Sequence, residues 1–337
     1  MLGGCAACGS EGSSASSTHL LWSVDTLAII GVAEGNSTQE FGQLIAAEIS
    51  ATGDAVLLDL RRPGVFWFDS TGQFRAVTAV GRGPGEVAQP RAVAASRAGA
   101  VLVLDPANAR LSYLRESGGR VTLDSSINTL HVSTSLCELA GRVYAGFLLD
   151  GMVAHVMGSD GRSLRSFGPE PRLPQLDAVG DFGVLARRQI VEPRLFCDSP
   201  RSQVVLAGRS HPVVRAYDSL GQMTWSVQLE DVHSIAFDLT GAGTVEGVLD
   251  PVNGASFVHS MIAWGPQHLL IQYVRSFPGG PPDGEEFGGI DSRLLDLTTG
   301  AEVGRSDGLP LIAATRGDRF VVIENFPYPR AIVVRRH

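Results

Sequence analysis

Residues 80–123, VGRGPGEVAQPRAVAASRAGAVLVLDPANARLSYLRESGGRVTL, spell one whole supersecondary unit whose weaker echoes recur on both sides. A Gly- and Pro-rich link (81–90) leads into four short apolar runs, 91–96, 100–104, 111–114 and 120–123. Turns separate them at Ala98-Gly99, Asp105 to Arg110 and Ser117-Gly118-Gly119. Runs this short, rich in Val and Leu and bounded by turn formers, are strands rather than helices.

The same order precedes the unit, in strands at 44–50, 55–60, 65–69 and 73–80. Asp59 and Asp105 each close a second strand and lie 46 residues apart, near the repeat of a four-stranded propeller blade. A third copy runs through 130–138, 142–148, 153–158 and 163–167, and a fourth through 190–197, 203–207, 213–217 and 222–228. The fifth (256–264, 269–274, 292–297 and a short edge) is stretched by a Gly/Pro/acid-rich loop at 277–289. The sixth has only three strands, 311–315, 319–324 and 330–335, while the run at 22–30 is left over. Letting that spare strand complete the last blade closes the ring without an open sheet edge. The expectation is an all-β chain: one six-bladed β-propeller of four-stranded antiparallel blades over 20–337, after a flexible tail at 1–19. Seven blades, with 232–250 as a degenerate extra one, are the alternative.

Composition agrees with a packed β protein. A hydrophobic fraction of 44 % with 40 Gly and 18 Pro is too apolar for a disordered chain and supplies many turns. A net charge of -8 weighs against nucleic acid, whose phosphates need a basic stripe. No run approaches the roughly 18 apolar residues of a membrane-spanning helix. The start, Leu2-Gly3-Gly4-Cys5, resembles the lipobox of bacterial lipoproteins, with Cys5 as the lipidated residue. The charged segment and apolar core of a secretory signal are missing before it, so the expectation is a truncated lipoprotein signal. Otherwise Cys5 and Cys8 are incidental thiols of a cytoplasmic tail.

Gly81 to Glu86 (GRGPGE), Pro90 and the Asp105-x-x-Asn108-x-Arg110 core resemble the NHL-type six-bladed repeat, and in particular bacterial envelope lipoproteins of that build. Asp105, Asn108 and Arg110 are expected to keep blade geometry: an Asx-type turn, a left-handed backbone at Asn108, and an arginine reaching carbonyls or carboxylates of the neighbouring blade. Resembling propellers include calcium-dependent lactonases, zinc-dependent amidating lyases and quinone-dependent sugar dehydrogenases.

The meander sorts the loops. First-to-second and third-to-fourth turns share one face and are tight, whereas second-to-third turns and interblade links share the other and include every long loop: 32–43, 81–90, 168–189, 230–254 and 277–289. Long loops without structure of their own are commonly functional. This face is expected to gather Arg61, Arg62, Arg82, Glu86, Arg187, Arg188, Arg209, His211, His233, Glu285, Glu286, Glu324 and Tyr328 as the surface for a ligand or partner. That set has no metal-ligand spacing, and the chain has no Gly-x-Ser-x-Gly elbow, so no catalytic residue is assigned.

First-strand positions aimed at the channel read Ala94, Ala95, Ser133, Val191 and Ala313, with Glu48, Glu138 and Glu192 as the plausible carboxylates. His131, His155, His211, His233, His259 and His268 read as structural side chains. Cys137 and Cys197 hold equivalent places in neighbouring blades. They are a disulfide if the protein is exported, and two small buried side chains if it is not. The leading function is a monomeric, non-catalytic propeller without cofactor at the cell envelope, binding a protein, peptide or glycan on its long-loop face. It would contact membrane only through a lipid anchor. The alternative is a calcium- or zinc-dependent hydrolase or lyase at the channel mouth, with Ca2+ the cofactor looked for first.

Overall fold

The computed structural model describes residues 18–20, 22–35, 38–96, 99–129, 133, 135–172, 187–188, 190–239, 245–250, 252–278 and 288–337. Six four-stranded antiparallel sheets stand round an axis as the blades of a propeller. The first holds Leu44–Ile49, Ala55–Asp59, Gly64–Phe68 and Phe74–Val77. The second holds Ala92–Ala95, Val101–Asp105, Arg110–Ser117 and Arg120–Asn128. Ser135–Leu139, Arg142–Leu149, Met152–Met157 and Ser163–Pro169 form the third. Pro193–Asp198, Gln203–Gly208, Val213–Asp218 and Met223–Gln228 form the fourth. The fifth contains Ala255–Ala263, His268–Ser276, Ile290–Asp296 and Glu302–Ser306. Ile312–Arg316, Arg319–Glu324 and Arg330–Arg336 make the sixth together with Val24–Ile30, which pairs antiparallel with the last of them. The spare N-terminal strand therefore closes the ring.

Burial follows position in the blade. Second strands, packed between two neighbouring blades, are apolar on both faces, as in AVLLD and VLVLD, where every residue is buried. Outer strands alternate, as Arg120–Asn128 does, because one face meets water. First strands alternate for another reason: one face packs and the other lines the channel.

Three details differ from the sequence expectation. Residues 232–250 make only a two-stranded hairpin, Ala236–Leu239 with Val245–Val248, so no seventh blade forms. The fourth blade opens not at 190 but at Pro193, because a helical bond from Glu192 N–H to Arg188 O (3.0 Å) turns the chain first. Thr18–His19 adds a short parallel edge to the fifth blade.

The 46-residue repeat has a physical basis. Asp59, fully buried, accepts hydrogen bonds from the backbone N–H of Gly42 (2.6 Å) and Gln43 (3.0 Å). Asp105 accepts the same bonds from Ala88 (2.7 Å) and Gln89 (3.0 Å). Each aspartate thus fixes the interblade link entering its own blade. Asn108 donates to Asp105 Oδ2 (2.7 Å) and Gly81 O (2.9 Å), and Arg110 donates to Gly83 O (2.7 Å). The left-handed residue is Ala109 (φ 48°), not Asn108, because Pro106–Asn108 form a 3-10 turn. Arg110 reaches the link of its own blade, not the neighbouring one. Asp105→Ala leaves two backbone donors and the Asn108 amide without their acceptor, and is expected to cost about 3 kcal/mol in denaturant unfolding.

Candidate functional site

The six first strands enclose a channel of about 950 Å³, within the usual range of small-molecule sites. Each first strand runs from the long-loop face towards the short-turn face, which sorts the lining residues by height. Near the short-turn mouth stand Glu48, Ser96, Glu138, Thr315 and Arg316. Near the long-loop mouth stand Arg91, Glu192, Arg194, Arg209 and Arg275, with Phe257 and His259. One end of the channel is acidic and the other basic.

At the acidic end Glu48 accepts hydrogen bonds from Ile49 N–H (2.9 Å) and Ala95 N–H (3.0 Å), while Ser96 Oγ donates to Glu138 (2.8 Å). Two carboxylates from the first and third blades therefore meet on the inner strand of the second. Burial pushes the Glu48 carboxyl up to about 7, against the opposing pull of its two backbone donors and of Arg316. The folded chain holds this proton more tightly than the unfolded one, so the stabilisation is full below about pH 4.5 and lost as pH rises to about 7. With screening by channel water, about 2 kcal/mol is expected to disappear across that window. Urea unfolding at pH 4.5 and pH 8 should show the loss in the wild type and not in Glu48→Ala.

At the basic end, burial and then the charge of Arg209 hold the Arg194 guanidinium below its ordinary range, with Glu192 opposing. Burial and then Arg194 push the His259 imidazole down to about 4. Its Nδ1 is buried with no hydrogen-bond partner among the described residues.

The rim residues expected from sequence are spread around the long-loop face, and several serve the fold. Arg62 donates to Glu40 O (2.8 Å) and lies over the Phe66 ring, and Glu86 accepts from Gly83 N–H (2.6 Å) to close its link. Glu324 pairs with Arg330 (2.6 Å), which also covers Tyr328. Arg187 pairs with Glu170 (3.5 Å). His211 accepts from Val213 N–H (3.2 Å), and burial lowers its basicity. The His233 carbonyl accepts from Ser256 N–H (2.7 Å). Arg61, Arg82 and Arg188 are exposed, whereas Glu285 and Glu286 lie outside the described residues, as do Cys5 and His131. Of the described rim set, Arg209 lines the channel, its guanidinium 5.9 Å from the centre of the Phe257 ring.

Sequence reading did not place Arg91, Arg194, Arg275 and Arg316 at the channel wall, where His259 also lies. The one available signal was the Glu192-x-Arg194 spacing, which puts both on one face of an extended segment. Of the positions read as channel-facing, Ala95 and Ala313 line it, but Ala94 and Val191 pack in the core and Ser133 bonds Ser135 O and Gly146 O. His155 is a satisfied core residue, 2.9 Å from Ser166 Oγ and 3.0 Å from Phe147 O. The sulfurs of Cys137 and Cys197 are 2.02 Å apart, a disulfide between neighbouring first strands. Among the described residues no three His, Cys, Asp or Glu side chains converge as a metal set, and no helix is long and apolar enough to cross a membrane.

No protein-family model matches the chain. No curated protein matches it in sequence either. Solved structures do match it in shape. A Bacteroides fragilis protein named "Putative exported protein" superposes with a TM-score of 0.62 at 10% identity, covering 97% of this chain and 98% of its own. A member of the DUF4221 family from Bacteroides vulgatus gives 0.57 at 10% identity, over 94% and 97%. Virginiamycin B lyase from Staphylococcus aureus gives 0.50 at 9% identity, over 94% and 99%. At such identities the likeness is one of fold, and it makes this chain a six-bladed β-propeller built like bacterial propellers that share almost none of its sequence.

Proposed function

We propose that this chain is a non-catalytic binding propeller of the bacterial envelope, of the NHL-like type, which holds a protein, peptide or glycan on its long-loop face as a monomer. The observation that carries the reading is the asymmetry of the disc. The longest interblade links and the long second-to-third loop of the fifth blade open on one mouth, while the other mouth is ringed by turns such as Ser70-Thr71-Gly72 and Ser159-Asp160-Gly161. A rigid ring with variable loops on one side needs no reacting group to bind selectively. An extracytoplasmic site is supported by the Cys137–Cys197 disulfide, since such bonds persist where thiols are oxidised. The name of the Bacteroides fragilis neighbour points the same way. Cys5 would carry the lipid anchor.

The test is co-purification from envelope fractions with the exposed Arg82→Glu and Arg188→Glu variants, set against Thr71→Arg and Asp160→Arg on the opposite face. Loss of the partner with the first pair alone is expected; loss with the second pair alone overturns the reading. No resident metal belongs to this function, so millimolar calcium should leave the melting temperature unchanged, and a clear rise would favour the calcium-dependent alternative.

A further inference from the structure

The loop joining the second and third strands of the sixth blade, residues 325–329, is pinned along its whole length except at its tip. Its flanks are ladder partners, Glu324 opposite Arg330, and the two side chains bond at 2.6 Å. Asn325 grips the first blade: its Oδ1 accepts from Leu44 N–H (2.9 Å) and its Nδ2 donates to Leu44 O (3.0 Å). Tyr328 lies under the Arg330 guanidinium, 5.6 Å from the ring centre. Pro329 is pressed against the link entering the first blade, where a Cβ on Gly31 would come within 2.7 Å of its carbonyl oxygen. Phe326 stands between these fastenings and is 70% exposed. Among the described residues it is the only exposed aromatic side chain, every other ring being buried or half-buried.

Single exposed aliphatic residues are ordinary on a protein surface. An aromatic ring on a fixed loop is a different object, because the backbone beneath it has no freedom left to lose and the ring itself has only two side-chain torsions to settle. Shape then narrows the occupant. The ring projects, so whatever covers it must be concave: a folded protein can offer an apolar pocket, whereas an extended peptide or a hydrated glycan has none. One phenyl ring is also a smaller apolar commitment than a single acyl chain, which by itself holds a protein to a bilayer only marginally. Charge narrows it further. Arg61 tops the second-to-third turn of the adjoining first blade, and a Cβ on Gly42, two residues before Leu44, would come within 2.7 Å of its Cβ. Its side chain is exposed and makes no ion pair among the described residues.

We propose that Phe326 is the anchor by which the long-loop face holds a folded protein, its ring entering an apolar pocket of that partner and Arg61 meeting a carboxylate on the pocket's rim. Aromatic and arginine side chains are the residues enriched at the centre of such contacts. The inference rests on the proposed function in taking the long-loop face as the working side.

Photocrosslinking in intact cells, with p-benzoylphenylalanine at position 326, tests what the ring enters, and the captured protein, once purified, is the probe for calorimetric titration of the intact chain. Phe326→Ala should weaken its binding at least tenfold, with Phe326→Leu falling between. Arg61→Glu should weaken it at least threefold at low salt and less at high salt. Millimolar β-cyclodextrin, whose apolar cavity admits one phenyl ring, should compete with the captured protein for the wild type. Phe326→Ala should melt with the wild type, since the ring packs on nothing; a clear fall would mark it as a structural residue and overturn the anchor. A crosslink to glycan or lipid, no crosslink at all, full affinity in Phe326→Ala, or no competition by cyclodextrin also overturns it. So does sedimentation with phosphatidylglycerol–phosphatidylethanolamine vesicles that is lost in Phe326→Ala, which would make the ring a membrane contact. Loss of the envelope partner with Arg82→Glu and Arg188→Glu but not with Phe326→Ala would sink the anchor and leave the proposed function standing, whereas loss only in the short-turn variants would sink both.

Discussion

Arg293→Met is expected to destabilise the folded chain by about 3–5 kcal/mol, because it removes the nearest cation and two hydrogen bonds from the buried Asp291 carboxylate. Arg293 sits in the middle of Ile290–Asp296 and is 1% exposed. Its Nε donates to both oxygens of Asp291 (2.9 and 3.0 Å), its Nη1 to both oxygens of Glu302 (3.0 and 3.1 Å), and its Nη2 to Glu230 O (2.9 Å). Burial alone would lower the basicity of this guanidinium, but the hydrogen bonds and charges of Asp291 and Glu302 outweigh it and hold it above its ordinary range. Asp291 is 3% exposed, and without Arg293 it keeps only Arg305 (3.3 Å) and Arg275 (4.0 Å). The bond to Glu230 O also ties the fifth blade to the link leaving the fourth, so the loss falls on an interblade seam. Guanidinium unfolding should show a lower midpoint at unchanged slope. Arg293→Lys, which keeps the charge but not the fork, should fall between. Asp291→Asn combined with Arg293→Met should cost less than the sum of the two single changes, since they share one network. A loss under about 1 kcal/mol in Arg293→Met would mean that water reaches Asp291 and screens it.

That network was invisible in the sequence, and the reason lies in the geometry of a propeller. Blade periodicity is local: Asp59 and Asp105, with the link residues they bind, recur at one spacing because each repeat solves the same turn problem within about 20 residues. The spare strand at 22–30 was legible by the same logic, since a three-stranded last blade leaves an edge. Interblade and channel contacts obey no local period. Arg293 meets Glu230 across 63 residues, and the channel wall draws on Arg194, Arg209, His259 and Arg316 from three blades. Pairing also becomes irregular where strands bulge. The register of Ala255–Ala263 shifts between Val258 and Ser260, so His259 has no cross-strand partner in the ladder, although it shares the channel face with Phe257 and Met261. The rim set, by contrast, followed from loop length alone, and the structure shows that Arg62, Glu86 and Glu324 are largely spent on holding their own loops.

Removing the Cys137–Cys197 bridge is expected to cost about 4 kcal/mol, yet to leave the propeller folded. The two cysteines are 60 residues apart and belong to the inner strands of the third and fourth blades. On the chain-entropy account, opening a loop of that length frees the unfolded chain by about that amount. The same seam is packed independently of the sulfurs. Leu139 and Tyr144 of the third blade share a buried cluster with Leu195, Val204 and Tyr217 of the fourth, and the cysteines lie at its margin. Those contacts survive reduction, so Cys137→Ser with Cys197→Ser should lower the melting temperature by about 6 °C while the far-ultraviolet dichroism keeps its β signature. Dithiothreitol should impose the same shift on the wild type and none on the double variant. Global unfolding on reduction would show instead that the apolar seam cannot hold the two blades together.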